Sequence, residues 1–120
     1  MNLRQISEIL KADVLLGQES LDIEINMICG ADLLSDVLAF TKPDSLLLTG
    51  LTHPQVVRTA EIAEVNAVCF VRGKRPPEET IELAKEKNLP LLCTTLLMYE
   101  SCGLLYEHKL AGCSQAEEKT

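Results

Sequence analysis

The period of the apolar positions changes along this chain, and each change marks an element. Leu3, Ile6, Ile9 and Leu10 recur at the three- and four-residue spacing of one helix face. Asp13-Val14-Leu15-Leu16 then reads as a short strand closed by a turn at Gly17. From Leu21 to Met27 every odd position is apolar and every even one polar, the period of a half-exposed strand near a sheet edge. These two strands predict a short hairpin-like segment after the opening helix. A brief helix is predicted from about Leu33 to Phe40, broken by the turn Thr41-Lys42-Pro43-Asp44.

From Ser45 onward the apolar residues come in uninterrupted runs: Leu46-Leu47-Leu48, Ala67-Val68-Cys69-Phe70-Val71 and Leu89-Pro90-Leu91-Leu92-Cys93. Runs that are apolar on both faces belong to strands covered by helices on both sides, which means a parallel sheet. The intervening segments are helical. The first has Thr52 or His53 as N-cap, Pro54 in its first turn, and Val56, Val57, Ala60 and Ala63 facing inward. The second opens at Pro77 with Glu78 and Glu79 and closes with Lys85 and Lys87, charges that complement the helix dipole at both ends. A last helix, capped by Thr94 or Thr95, carries Leu97, Ser101, Leu104 and Leu105. The fold class predicted is therefore a three-layer α/β domain with a mainly parallel sheet, its β-α-β-α-β-α core containing parallel strands at Leu46–Thr49, Ala67–Val71 and Leu91–Thr94. A single domain is expected over residues 1–110, with a flexible tail over 111–120.

The net charge of −7 repels a phosphate backbone, so nucleic acid is not expected as a partner. No apolar run approaches the ~20 residues of a spanning helix, so no membrane span and no signal peptide are read. The five cysteines form no CxxC pair and are odd in number. That pattern suits reduced thiols in a cytoplasmic protein, and small buried hydrophobes account for most of them. Cys102, His108 and Cys113 come nearest to a ligand cluster, but spacings of six and five match no recurrent zinc pattern, so neither a metal nor another cofactor is expected. The nucleophile-elbow, phosphate-loop, dinucleotide and zinc-protease motifs are absent. Catalysis is not expected.

What does stand out is the rim at the carboxyl ends of the strands, where open parallel sheets bind their ligands. The first run ends in Thr49-Gly50-Leu51-Thr52-His53, the second in Arg72-Gly73-Lys74-Arg75, and the third in Cys93-Thr94-Thr95. Glycines allow close approach of the backbone, hydroxyls donate hydrogen bonds, and the Arg72–Arg75 cluster is the only dense positive charge in an acidic chain. Thr49, Gly50, Thr52, His53, Arg72, Gly73, Lys74 and Thr94 are the candidate binding residues, for an anionic small molecule or nucleotide. The same residues also have purely structural uses: tight βα turns at Gly50 and Gly73, a helix cap at Thr52, and a soluble loop at the basic residues.

Three stretches, LLLTGLTHPQVVRTAEIA, VCFVRGKRPPEETIELAKEKNLPLL and TTLLMYESCGLLYEHKL, give the chain a resemblance to the DRTGG-domain family from Asn2 to about Leu110. Such domains are found free-standing, fused to phosphotransacetylases, or between the CBS modules of regulated pyrophosphatases, and they look like the N-terminal domain of HPr kinase/phosphorylase. The resemblance implies a regulatory or ligand-sensing role and a partner enzyme, with no catalysis by the module itself. The sequence departs from the motif that names the family. Leu51-Thr52 stands at the Asp-Arg position and Val71-Arg72-Gly73 at Thr-Gly-Gly, leaving Gly73 of the motif and Gly50 in the preceding turn. An Arg moved into the second motif can supply the positive group lost from the first. The alternative role is a protein–protein docking or dimerisation module with no small ligand. A homodimer is expected because Leu96-Leu97-Met98 and Leu104-Leu105-Tyr106 spread apolar side chains over too wide an arc for one core face, although the N-terminal helix can cover the same surface.

Overall fold

The computed structural model describes residues 1–116. Helix α1 (Leu3–Leu10) opens with a reciprocal capping box in which Gln5 N–H donates to Asn2 Oδ1 and Asn2 N–H donates to Gln5 Oε1, both at 2.9 Å. Strand β1 (Asp13–Leu16) and a 3₁₀ turn (Gln18–Ser20) follow, then strand β2 (Met27–Gly30) and helix α2 (Leu34–Phe40). The alternating segment behaves differently from its prediction. Its side chains do alternate between inside and outside from Leu21 to Met27, but only Glu24 forms a bridge, to Asn2, and regular pairing starts at Met27. The backbone is engaged elsewhere: Leu3 N–H donates to Ile23 C=O and Arg4 N–H to Leu21 C=O, satisfying donors that the first turn of a helix leaves unpaired.

The rest follows the alternation of strand and helix. Strands β3 (Ser45–Thr49), β4 (Ala67–Phe70) and β5 (Leu91–Cys93) are linked by helices α3 (Gln55–Ala63) and α4 (Glu78–Glu86), and helix α5 (Met98–Glu107) closes the run. The sheet order is β1-β5-β4-β3-β2 with a short β6 (Ala111–Gly112) at the far edge, and β2 to β6 are parallel while β1 runs antiparallel to β5. The hairpin-like segment expected early in the chain is thus not a hairpin. β1 and β2 lie on opposite sides of the three central strands, since hydrophobic period alone does not say which edge a strand joins. The chain also stays in the sheet past residue 110, because Ala111 and Gly112 pair with Met27 and Ile28, and a single turn, α6 (Cys113–Ala116), follows. The remainder of the expected tail, residues 117–120, lies outside the described residues.

Period-2 alternation in the central strands divides the core in two. Leu46, Leu48, Ala67, Cys69, Val71 and Leu92 face the layer that holds α1 and α5. Leu47, Val68, Phe70, Leu91 and Cys93 face α2, α3 and α4. Both faces are covered, so the interior positions of these strands are apolar, and the buried hydroxyls of Ser45 and Thr49 at the two ends of β3 need internal partners. The carboxyl ends of β2, β3, β4 and β5 consequently emerge side by side on one rim.

Candidate functional site

Two βα turns make the centre of the rim. After β4, Arg72 and Gly73 both adopt left-handed backbone, at φ 67° and 68°, and Lys74 N–H reaches back to Val71 C=O at 3.4 Å. That is a turn in which both central residues have positive φ, a conformation suited to Asn-Gly or Gly-Gly. Holding it with Arg costs about 1 kcal/mol or more relative to Gly. The turn is fixed by neighbouring backbone: Arg72 N–H donates to Leu96 C=O at 2.8 Å and Gly73 N–H to Thr94 C=O at 2.9 Å. Those amides hold the turn onto the segment after β5 and are not available to an anion.

The Arg72 side chain lies across the turn after β3. A methyl placed on Gly50 would come within 3.0 Å of Arg72 Nε and Nη2 and 3.2 Å of Cζ, so the guanidinium rests on bare glycine backbone, with Nη2 3.5 Å from Gly50 C=O. Arg72 is exposed and, among the described residues, takes part in no ion pair. Lys74 is likewise exposed. Arg75 is tied down by Asp13, Nη1 to Oδ2 at 3.3 Å, on the solvent side of β1.

No local pattern singles out Asp32, yet it organises this corner. Its Oδ1 accepts Gly50 N–H at 2.7 Å and the Thr49 hydroxyl at 3.1 Å, and the same hydroxyl accepts Leu51 N–H at 3.1 Å. Asp32 follows β2, just as Gly50 follows β3 and Arg72 follows β4. Recognising Met27–Gly30 as a parallel strand, and not as the end of an edge strand, would have put it on the rim.

The remaining candidates divide clearly. Gly50 and Arg72 are in contact, and Gly73 lies against Thr95, 3.8 Å from its Cγ2 by the same methyl test. Thr94 is buried, its Oγ1 donating to Leu10 C=O at 2.7 Å and accepting Leu96 N–H at 3.2 Å, so it locks β5 to the end of α1. It does not cap α5, and Thr95 does not either; Leu97 stands at that N-cap without a side-chain bond. Neither Thr52 nor His53 caps α3, which starts after Pro54, with Val56 N–H bonded to His53 C=O. Thr52 C=O instead accepts the Thr80 hydroxyl at 2.8 Å and binds the β3–α3 turn to α4. His53 is exposed at the rim's edge. The amino end of α4 carries Glu78 and Glu79, which already complement its dipole.

Of the cysteines, Cys69 is buried, and desolvation pushes its thiol up to about 12. Burial also raises Cys29, Cys93 and Cys102. Such thiols are poor nucleophiles. His108 Nδ1 sits 2.8 Å from Leu104 C=O, and among the described residues no group of three or more His, Cys, Asp or Glu side chains is placed to hold a metal ion. No helix of the described residues is long and apolar enough to cross a membrane. Along α5, an open groove of about 710 Å³ is lined by Ile28, Leu96, Tyr99, Leu104, Tyr106 and Leu110, with Leu97, Tyr99 and Tyr106 strongly exposed.

The model of the DRTGG domain family matches residues 5–107. No curated protein matches the chain. Among solved structures, the CBS and DRTGG domains of the regulatory region of Clostridium perfringens pyrophosphatase, complexed with its activator diadenosine tetraphosphate, are similar in fold, with a TM-score of 0.66 at 19% identity. The similarity covers 86% of this chain and 45% of that one, so this chain spans less than half of its length.

Proposed function

This chain belongs to the DRTGG domain family, and on that premise we propose that it is a non-catalytic regulatory domain that senses an anionic metabolite or nucleotide at the carboxyl ends of β3 and β4 and passes the signal to a partner enzyme in the cytoplasm. The observation that carries this reading is Arg72. A left-handed turn position that Gly or Asn would fill at less strain is occupied by a long cation, exposed, without an ion-pair partner among the described residues, and laid over the bare backbone of Gly50. Residues held in costly backbone conformations cluster where function requires them. Lys74 adds a second exposed cation two residues on, and the regulatory region of the similar pyrophosphatase is itself complexed with a polyphosphate activator, which favours the same ligand class.

Anion recognition here rests on side chains, because the turn amides at Gly50, Arg72 and Gly73 are already bonded. A guanidinium–phosphate bond is worth roughly 1.5–3 kcal/mol, so Arg72→Ala should weaken binding about ten- to a hundredfold. The test is thermal shift against a panel of anionic metabolites and nucleotides, then titration calorimetry of any hit with Arg72→Ala and Lys74→Ala. A hit whose affinity is unchanged in the double variant removes the rim from consideration.

A second reading, pairing of two copies through α5, is favoured by the exposure of Leu97 at 56%, Tyr99 at 86% and Tyr106 at 64% beside the apolar groove. Light scattering separates it: a mass of 13.2 kDa at all micromolar concentrations excludes the dimer.

A further inference from the structure

We infer that the rim is built to take a hydroxyl-bearing anion, a phosphorylated sugar either free or as the ribose of a nucleotide, and that Asp32 is the residue that selects it. The inference rests on the anion-sensing reading above and goes beyond it by naming a ligand class and a second recognition residue. Two opposite charges converge on Gly50. On its N–H side stands the Asp32 carboxylate, 2.7 Å away through Oδ1, and on its C=O side the Arg72 guanidinium, 3.5 Å away through Nη2.

The two oxygens of Asp32 do different work. Oδ1 is saturated by the Gly50 amide and the Thr49 hydroxyl, which fix the carboxylate in place. Oδ2 has no partner among the described residues, and Asp32 is exposed. A carboxylate oxygen only accepts hydrogen bonds, so what it recognises must donate them. A carboxylate or a fully ionised phosphate brings no donor, and Asp32 repels it while Arg72 attracts it. A sugar phosphate satisfies both: its hydroxyls donate to Oδ2 while its phosphate meets Arg72 and Lys74. Acidic side chains at strand carboxyl ends hold ribose hydroxyls by the same chemistry in dinucleotide-binding sheets. Because Asp32 is already oriented by two internal bonds, little freedom remains to be lost when it binds.

The decisive variant is Asp32→Asn, which retains Oδ1 as acceptor for Gly50 and Thr49 and removes the negative charge. The full chain is titrated calorimetrically with ATP, 2′,3′-dideoxy-ATP, ribose 5-phosphate and inorganic tripolyphosphate. The wild-type protein should bind ATP about tenfold or more tighter than its dideoxy analogue, the effect of hydrogen bonds to a charged acceptor. Asp32→Asn should abolish that preference without weakening tripolyphosphate, whereas Arg72→Ala should weaken every phosphate ligand. Ribose 5-phosphate binding that also depends on Asp32 supports a sugar phosphate at large, and dependence for ATP alone supports a nucleotide. Tighter binding of ATP and tripolyphosphate alike in Asp32→Asn, or equal wild-type affinity for ATP and dideoxy-ATP with Arg72→Ala still harmful, overturns the role of Asp32 and leaves the anion rim standing. No phosphate ligand sensitive to Arg72→Ala overturns both.

Discussion

Arg72→Gly separates what Arg72 does for the fold from what it does for binding. The residue sits at φ 67°, beside Gly73 at φ 68°, and its backbone N–H is bonded to Leu96 C=O at 2.8 Å, a bond that glycine keeps. Releasing a non-glycine residue from left-handed backbone gains about 1–2 kcal/mol. Against this stand the extra freedom of glycine in the unfolded chain, about 0.5–1 kcal/mol, and loss of the long Nη2 contact to Gly50 C=O at 3.5 Å, which is weak at that distance. The net expectation is a protein as stable as the parent or up to about 1 kcal/mol more stable. Arg72→Ala removes the same guanidinium but keeps the backbone strain, so it should lie about 1 kcal/mol below Arg72→Gly. For a chain of this size that separates the two melting temperatures by roughly 3–6 °C. Urea denaturation monitored by circular dichroism reads the free energies, and the linear slopes should match if the transition stays two-state. Equal stability of the two variants, or a loss above 1 kcal/mol in Arg72→Gly, would refute the claim that this turn stores strain. Both variants should lose ligand binding together, since both lack the cation.

Gly17→Ala should be among the most damaging single-methyl changes, at about 2–4 kcal/mol, because φ is 95° there and the new Cβ would lie 2.7 Å from Pro90 Cβ, part of a rigid ring; a melting point within 2–3 °C of the parent contradicts it. Ser101→Ala should be neutral or stabilising by up to about 1 kcal/mol, since the buried Ser101 Oγ in α5 finds no hydrogen-bond partner among the described residues. A loss of stability on chemical denaturation would mean that the hydroxyl is satisfied. The raised Cys69 thiol gives a pH signature. Its folded-state value near 12 exceeds the unfolded value of 9.0, so its contribution is complete below pH 9 and is lost as pH rises toward 12. Stability should therefore fall there by up to ~1.4 kcal/mol per pH unit from this group, and urea midpoints of Cys69→Ala should fall less steeply over the same range.

What the chain determines by itself is whatever depends on local period and on chain length. Uninterrupted apolar runs at Leu46–Leu48, Ala67–Val71 and Leu91–Cys93, joined by segments long enough for a helical crossover, leave parallel pairing with helices on both faces as the arrangement that buries them. Pro77 with its two glutamates marks the start of α4 because capping and dipole effects act within one turn. Tertiary structure decided the rest. The alternation of Leu21 to Met27 fixes which side chains face inward, but whether that backbone pairs in a sheet or satisfies the first turn of α1 depends on where α1 docks. β1 and β2 go to opposite sides of the three central strands, and Ala111–Gly112 joins the sheet at all, because hydrogen-bonding partners come from segments far away in sequence. The rim divides in the same way. Its loops follow from the strand ends, whereas the engagement of Thr94 with Leu10, the Arg72 guanidinium over Gly50 and the Asp32 carboxylate against Gly50 arise from contacts that span 84, 22 and 18 residues and leave no local pattern to read.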